Sequence, residues 1–133
     1  MRVLIDTNIL ISSVLGQGNP FRAYVKAVSY PNQGVICDQN VDEMRRIFNR
    51  KFPKRVDDME KFLSLALQTL ELVRVPEEPV PQEMAIRDEN DRPILRAAIN
   101  AKVDLILTGD KDFLESSITN PRIVTAAEFC DMK

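Results

Sequence analysis

The chain has 133 residues, which suits one domain large enough to bury most of the surface that its unfolded form exposes. It carries 18 basic and 20 acidic residues, and its net charge of −2 argues against nucleic-acid binding through bulk positive charge alone. It contains no histidine, which excludes serine–histidine and cysteine–histidine nucleophile pairs. Any catalysis must therefore run on carboxylates, hydroxyls, basic side chains or bound metal.

The sequence contains no segment that predicts membrane insertion or secretion. No apolar run approaches the roughly 18 residues of a membrane span, and the chain starts with a strand pattern rather than a signal peptide. We therefore expect a cytoplasmic protein without a membrane partner. Cys37 and Cys130 lie far apart and lack metal-binding spacing, so we predict two free thiols, with Cys37 in the core.

Strand and helix patterns alternate along the first half of the chain. Val3 to Ile5 predicts a central parallel strand because it is apolar on both faces, and Asp6-Thr7-Asn8 supplies N-cap chemistry for a following helix. The next predicted elements are a turn over Gly16–Pro20, a helix over Phe21–Ser29, a strand over Gly34–Cys37, and helices over about Asn40–Phe52 and Val56–Leu72. The last two helices predict a helical hairpin at about 40–72, inserted into an α/β domain.

The second half continues the alternation. Its predicted elements are a strand over Val73–Val75, a solvent loop over Pro76–Pro81, a helix over Arg92–Ala101, a strand over Leu105–Leu107, a helix from about Lys111, a strand near Ile123–Val124 and a short last helix. This order predicts an α/β three-layer sandwich in one domain, residues 1–133, with a central parallel sheet of about four or five strands.

Carboxylates lie where the predicted strands end and the predicted helices begin. Asp6, Asp91 and Asp110 each precede a helix, and capping alone, worth about 1 kcal/mol, would account for any one of them. Capping does not account for their common place at the carboxyl edge of a sheet, where α/β proteins bind ligands. Like charges packed together resist ionisation, and a divalent ion removes that conflict. Oxygen ligands predict one or two Mg²⁺ or Mn²⁺ ions.

Glu43 and its neighbour Asp42 are alternative further ligands. At roughly 100° per residue, Glu43 lies at the border of the apolar stripe of its helix, whereas Asp42 lies farther from it. The geometry favours Glu43, because a border carboxylate can turn into a cleft beside the core, but Asp42 stays open as an alternative.

Four motifs carry a resemblance to a known family. They are Leu4-Ile5-Asp6-Thr7-Asn8, Glu43-Met44-Arg45-Arg46-Ile47-Phe48, Asp88-Glu89-Asn90-Asp91-Arg92-Pro93-Ile94-Leu95 and Leu107-Thr108-Gly109-Asp110-Lys111-Asp112-Phe113. With these motifs in this order, the chain resembles a PIN-domain nuclease over nearly its whole length. It looks most like the single-domain toxins of bacterial and archaeal toxin–antitoxin pairs.

The resemblance implies a metal-dependent ribonuclease that is frequently dimeric. It implies catalytic, metal-binding acids at Asp6, Glu43, Asp91 and Asp110, with Asp112 assisting. Three further side chains suit a supporting role, because their hydrogen bonds would fix carboxylate rotamers. They are Thr7, Asn8 and Thr108, for which ordinary helix capping is the alternative. We expect RNA as the substrate, an antitoxin protein as a partner and a homodimer.

A basic segment follows Glu43 on the same helix. Its members Arg45, Arg46, Arg50 and Lys51 are candidates for leading an RNA backbone toward the metal ions, and a solvated helix face is the alternative. Two other functions stay open, namely a stand-alone PIN nuclease in RNA processing and a catalytically silent binding module. A receiver-type phosphoacceptor fits poorly, because no acid pair follows the first strand.

Overall fold

A computed structural model describes all 133 residues, which fold around a five-stranded sheet. The strands are β1 (Arg2–Ile5), β2 (Gln33–Cys37), β3 (Glu71–Val73), β4 (Leu105–Leu107) and β5 (Arg122–Val124). They lie in the order β3-β2-β1-β4-β5, and every neighbouring pair is parallel. The predicted central parallel sheet is confirmed, and all five carboxyl ends meet at one edge.

Helices cover both faces of this sheet. They are α1 (Thr7–Leu15), α2 (Asn19–Ala27), α3 (Asp38–Lys51), α4 (Val56–Ala66), α5 (Arg92–Asn100), α6 (Lys111–Leu114) and α7 (Ala126–Asp131). Short 3-10 turns occupy Pro53–Arg55, Pro81–Ala85 and Glu89–Asp91. None of the helices has the length and apolar composition that crossing a bilayer requires.

The alternation of side chains along β1 divides the interior into two cores. Val3 and Ile5 pack into the core that contains residues of α1 to α4 and α7. Leu4 points the other way, into the core that contains residues of α5 and α6. Because successive strand residues face opposite sides, a fully apolar strand serves both layers at once. The predicted three-layer α/β architecture is therefore confirmed.

The strand order reverses at β1. The chain passes from β1 to β2 and β3 on one side, then returns to place β4 on the other side. Ligands of open α/β sheets bind outside the carboxyl ends of the strands at such a reversal. The residues that follow β1 and β4, Asp6 and Thr108, are therefore neighbours at the position where a ligand site is expected.

The predicted hairpin at about 40–72 ends too late. The helix α4 stops at Ala66 rather than Leu72, and β3 covers Glu71–Val73 rather than Val73–Val75. Glu71 pairs with Val35 of β2, and its carboxylate forms an ion pair with Arg2 at 2.6 Å. The apolar spacing continues to Leu70, but strand pairing stabilises the extended backbone beyond it, so the periodicity alone misplaced this boundary.

Candidate active site

Asp6 lies at the centre of the carboxyl edge. It is the N-cap of α1, and its Oδ1 accepts a 2.8 Å hydrogen bond from the backbone N–H of Thr7. The Thr108 hydroxyl donates to its Oδ2 at 2.7 Å. The residue is only 4% exposed, and burial raises its pKa from the ordinary 3.8 to about 6. The charges of Glu43 and Asp110 act in the same direction. Asp6 is therefore a buried carboxylate whose hydrogen bonds do not offset the cost of its charge.

Thr108 joins the ends of β1 and β4. While its hydroxyl donates to Asp6, its oxygen accepts the backbone N–H of Asp110 at 3.0 Å. Next to it, the N–H of Gly109 donates to Oδ1 of Asn8 at 3.3 Å. Asp110 is the N-cap of α6, and its Oδ1 accepts the N–H of Asp112 at 2.9 Å. Asp6 and Asp110 are thus held by one hydrogen-bonded network that also contains the predicted supporting residues Asn8 and Thr108.

Asp91 precedes α5, but its side chain makes no capping hydrogen bond. Its Oδ2 is buried and has no hydrogen-bond partner. Burial, followed by contact with the carboxyl group of Asp110, raises the pKa of Asp91 well above its ordinary value. The charge of Asp6 adds to this effect. Capping therefore explains Asp6 and Asp110 in part, whereas it does not explain Asp91.

The structure separates Glu43 from Asp42. Glu43 is half-buried on α3, and its charge contributes to the raised pKa of Asp6. Asp42 is exposed, and its charge acts on Arg45. Both residues line the same cleft. Glu43 is thus the residue that faces the other acids.

Two further acids lie beside Asp91. Oxygens of Asp88, Asp91 and Asp112 approach within 4.8 Å of one another. Asp112 also accepts two hydrogen bonds from the guanidinium of Arg87, at 2.6 and 2.9 Å. The sequence analysis did not select Asp88, although it lies in the motif with Asp91, three residues away. That spacing places both side chains on one side of a tight turn, which is the signal that would have found it.

A cleft of about 920 Å³ opens beside Asp88 and Asp91, whereas Asp6, Asp110 and Asp112 lie outside its lining. Its walls are formed by α3, by the segment 88–91 that leads into α5, and by Val75. Arg46 and Arg50 line it, and neither forms an ion pair. No aromatic residue lines the cleft. The cleft therefore offers charge and hydrogen bonds rather than a surface for stacking.

The other two predicted RNA-binding residues lie outside the lining of this cleft. The guanidinium of Arg45 binds Glu60 of α4 at 2.9 and 3.2 Å. Lys51 is exposed at the end of α3. The structure therefore places Arg46 and Arg50 by the acids, and not Arg45 and Lys51.

Asn40 is a buried polar residue that sequence reasoning missed. It is 0% exposed, and its Oδ1 accepts the backbone N–H of Cys37 at 2.9 Å. Its Nδ2 donates to the hydroxyl of Thr7 at 3.0 Å, which fixes the residue after Asp6. Cys37 is buried and free, and burial raises the pKa of its thiol to about 12. The thiol is therefore neutral and belongs to the core.

The donor set fits a hard divalent cation. It consists of carboxylate oxygens, which Mg²⁺ and Mn²⁺ prefer. The buried Oδ2 of Asp91 lacks any donor, and the carboxyl group beside it belongs to Asp110, which can only accept while ionised. A cation would satisfy both groups, and it would offset the burial cost and the neighbouring charges that together raise the pKa of Asp6.

The family of the chain follows from comparison with known domains. The model of the PIN domain matches residues 2–112. The chain therefore belongs to the PIN-domain family, as the four motifs indicated. No curated protein sequence matches the chain.

Two solved structures share the fold. VapBC2 from Rickettsia felis, bound to a DNA fragment from their promoter, is similar with a TM-score of 0.71 and 15% identity, over 94% of this chain and 98% of that chain. VapC20 from Mycobacterium tuberculosis, a sarcin–ricin loop cleaving toxin, is similar with a TM-score of 0.63 and 13% identity, over 88% of this chain and 96% of that chain. At these identities the similarity shows a common fold.

Proposed function

We propose that the chain is a metal-dependent endoribonuclease that hydrolyses RNA phosphodiester bonds, and that it is the toxin of a toxin–antitoxin pair. One observation carries this proposal. Asp6 and Asp91 are acids with raised pKa values, Asp110 contributes to both shifts, and no basic side chain forms an ion pair with either. A protein that keeps these carboxylates together without a cation of its own is built to take one from solution.

The carboxylates divide into ligands and an orienting group. Asp6, Asp91 and Asp110 would hold one or two Mg²⁺ or Mn²⁺ ions, and Glu43 would orient the attacking water or hold a weaker second ion. A divalent cation in this position supplies Lewis-acid polarisation of a phosphodiester and neutralises developing negative charge. The hydroxyl of Thr108 and the N–H of Thr7 fix the rotamer of Asp6 for this role.

The cleft suits the backbone of RNA. Arg46 and Arg50 are four residues apart, so they lie one above the other on α3 and face the cleft together. Phosphates bound there would approach the acids from the side of Glu43. Six acids and two arginines line the cleft, so Arg46 and Arg50 would bind phosphates while cations held by the acids would offset the remaining negative charge. Without aromatic residues in its lining, the cleft would discriminate little among bases.

The toxin assignment draws on the PIN-domain toxins that the motifs resemble and on the two structures that share the fold. VapC20 is described as a toxin that cleaves the sarcin–ricin loop, and VapBC2 as bound to promoter DNA. For this chain we propose the corresponding partners, which are an RNA substrate, an antitoxin protein and a second copy in a homodimer, in the cytoplasm.

RNA cleavage under metal titration tests the proposal. Purified protein is incubated with labelled RNA and increasing Mg²⁺ or Mn²⁺, alongside Asp6→Asn and Asp110→Asn. We expect metal-dependent cleavage that falls by more than about 100-fold in both variants, since each loses a direct ligand rather than an outer contact. Asp104→Asn is the matched control, because Asp104 lies at the opposite end of β4 and is exposed. Equal cleavage by the wild type, Asp6→Asn and Asp110→Asn would refute the assignment of the site.

A further inference from the structure

Gln39 is a cleft residue to which the proposed function gives no role. It lies in the first turn of α3, four residues before Glu43, so the two side chains share one face of the helix. Its Nε2 donates to Oε1 of Glu43 at 2.7 Å and to the backbone carbonyl of Asn90 at 2.7 Å. A primary amide has two N–H groups, and both are used in these contacts.

The amide of Gln39 joins two parts of the candidate site that are otherwise separate. The bond to Asn90 is the hydrogen bond that connects α3 with the segment 86–100, which carries Asp91. For Glu43, the bond from Gln39 is the one hydrogen bond that its side chain makes. Without Gln39, a half-buried glutamate with three rotatable bonds would be free to adopt other rotamers.

We propose that Gln39 is a positioning residue, whose amide fixes the Glu43 carboxylate against the turn that carries Asp91. This inference rests on the proposed function, because it assigns Gln39 a task only if these acids bind a cation. The two bonds set both the rotamer of Glu43 and the separation of α3 from the Asn90–Asp91 turn. Outer contacts of this kind orient ligating carboxylates, and their loss typically weakens metal binding 10- to 100-fold.

Gln33 provides a matched comparison within the same chain. Its Nε2 also donates to two carbonyl groups, those of Gly34 and Thr69, at 2.9 and 3.0 Å. It stands at the amino end of β2, whereas Gln39 follows the carboxyl end of the same strand. Removing either amide breaks two hydrogen bonds, but only the amide of Gln39 lies among the acids.

The experiment compares Gln39→Met with Gln33→Met, since methionine keeps the length of the side chain and removes the donors. Mn²⁺ affinity is measured by isothermal titration calorimetry, together with kcat and KM for RNA cleavage. We expect Gln39→Met to bind Mn²⁺ about tenfold more weakly and to lose kcat, with KM near that of the wild type. We expect Gln33→Met to bind Mn²⁺ like the wild type. In the Glu43→Gln background, the effect of Gln39→Met on Mn²⁺ affinity should shrink, because the group through which it acts is already changed.

The possible outcomes separate this inference from the proposed function. Wild-type protein that binds Mn²⁺ and cleaves RNA, with both Mn²⁺ affinity and kcat unchanged in Gln39→Met, overturns the positioning role and leaves the nuclease proposal standing. Equal losses from Gln39→Met in the wild-type and Glu43→Gln backgrounds also overturn it, because additivity means that Gln39 does not act through Glu43. Wild-type protein that binds no Mn²⁺ overturns both proposals.

Discussion

Two carboxylates of this protein are equally buried and have opposite electrostatic surroundings. Glu83 and Asp6 are each 4% exposed. The guanidinium of Arg96 binds both oxygens of Glu83, at 2.9 and 3.0 Å, and this pairing lowers the pKa of Glu83. Asp6 has two hydrogen bonds and no basic side chain beside it, and burial raises its pKa to about 6.

The difference separates a buried charge that the chain neutralises itself from one that it leaves without a basic partner. Arg96 also donates to the carbonyl of Pro76, so the pair ties the loop after β3 to α5 and is complete within the chain. The charge of Asp6 has no basic partner, and the acids Asp91 and Asp110 lie nearby. Arg96 neutralises Glu83 within the fold. A cation bound at Asp6 would come from solution and would be available for chemistry.

The largest expected effect comes from breaking the internal pair. Arg96→Met leaves Glu83 buried and unpaired, which should lower the free energy of unfolding by about 3–5 kcal/mol. Urea denaturation monitored by circular dichroism measures it. Arg45→Met is the control, because the Arg45–Glu60 pair is exposed by nearly half on both sides and should contribute under about 1 kcal/mol. A smaller loss in Arg96→Met than in Arg45→Met would contradict the comparison.

The next effect is the pH dependence of metal-free protein. The pKa of Asp6 is higher in the folded state, about 6, than its ordinary 3.8, so the folded state holds a proton that the unfolded chain releases between these values. This group stabilises the folded state fully below about pH 4. About 3 kcal/mol of that stability is lost as the pH rises to about 6 and above. The difference in free energy of unfolding between the wild type and Asp6→Asn, measured by urea denaturation across this pH range, isolates the contribution of Asp6.

The effect of Mg²⁺ on stability tests the same contrast between Asp6 and Glu83. With Mg²⁺ at about 100 times its dissociation constant, the wild type should gain about 2.7 kcal/mol near neutral pH, and Asp6→Asn should gain much less. Asp104→Asn, which changes an exposed acid, should follow the wild type in both experiments. Parallel pH curves for the wild type and Asp6→Asn would show that Asp6 carries no unfavourable charge.

The smallest effect concerns Arg46 and Arg50, the two arginines of the cleft that form no ion pair. Arg46→Gln and Arg50→Gln should each weaken RNA binding and reduce the slope of log affinity against log salt by about 0.7, the value for one phosphate contact on a single strand. Binding is measured by fluorescence anisotropy in the Asp110→Asn background, so that the RNA stays intact. Arg122→Gln on the exposed edge strand is the control. Unchanged salt slopes would remove Arg46 and Arg50 from the RNA path.

The candidate site residues that the structure brings together as the sequence predicted are those with local signals. Asp6 and Asp110 directly follow apolar strands, and their neighbours Asn8 and Thr108 lie close to them in sequence as well as in space. A parallel sheet brings such strand ends together without further information. The period of the apolar stripe on α3 was also sufficient to favour Glu43 over Asp42.

The features of the molecule that sequence reasoning missed depend on contacts between distant segments or on an element boundary. Arg96 and Glu83 are 13 residues apart, and the path of the loop between them cannot be read from periodicity. Gln39 and Asn40 lie in the first turn of α3, which starts at Asp38 rather than near Asn40. Because both residues lay at the edge of the predicted helix, the sequence did not define the direction of their side chains.

The two edges of the sheet limit how copies of this chain can associate. β3 and β5 are only three residues long, so each edge offers few unpaired backbone groups to another strand. Short edge strands are one way in which proteins avoid joining their sheets. We therefore expect any association between two copies to use surfaces other than the strand edges.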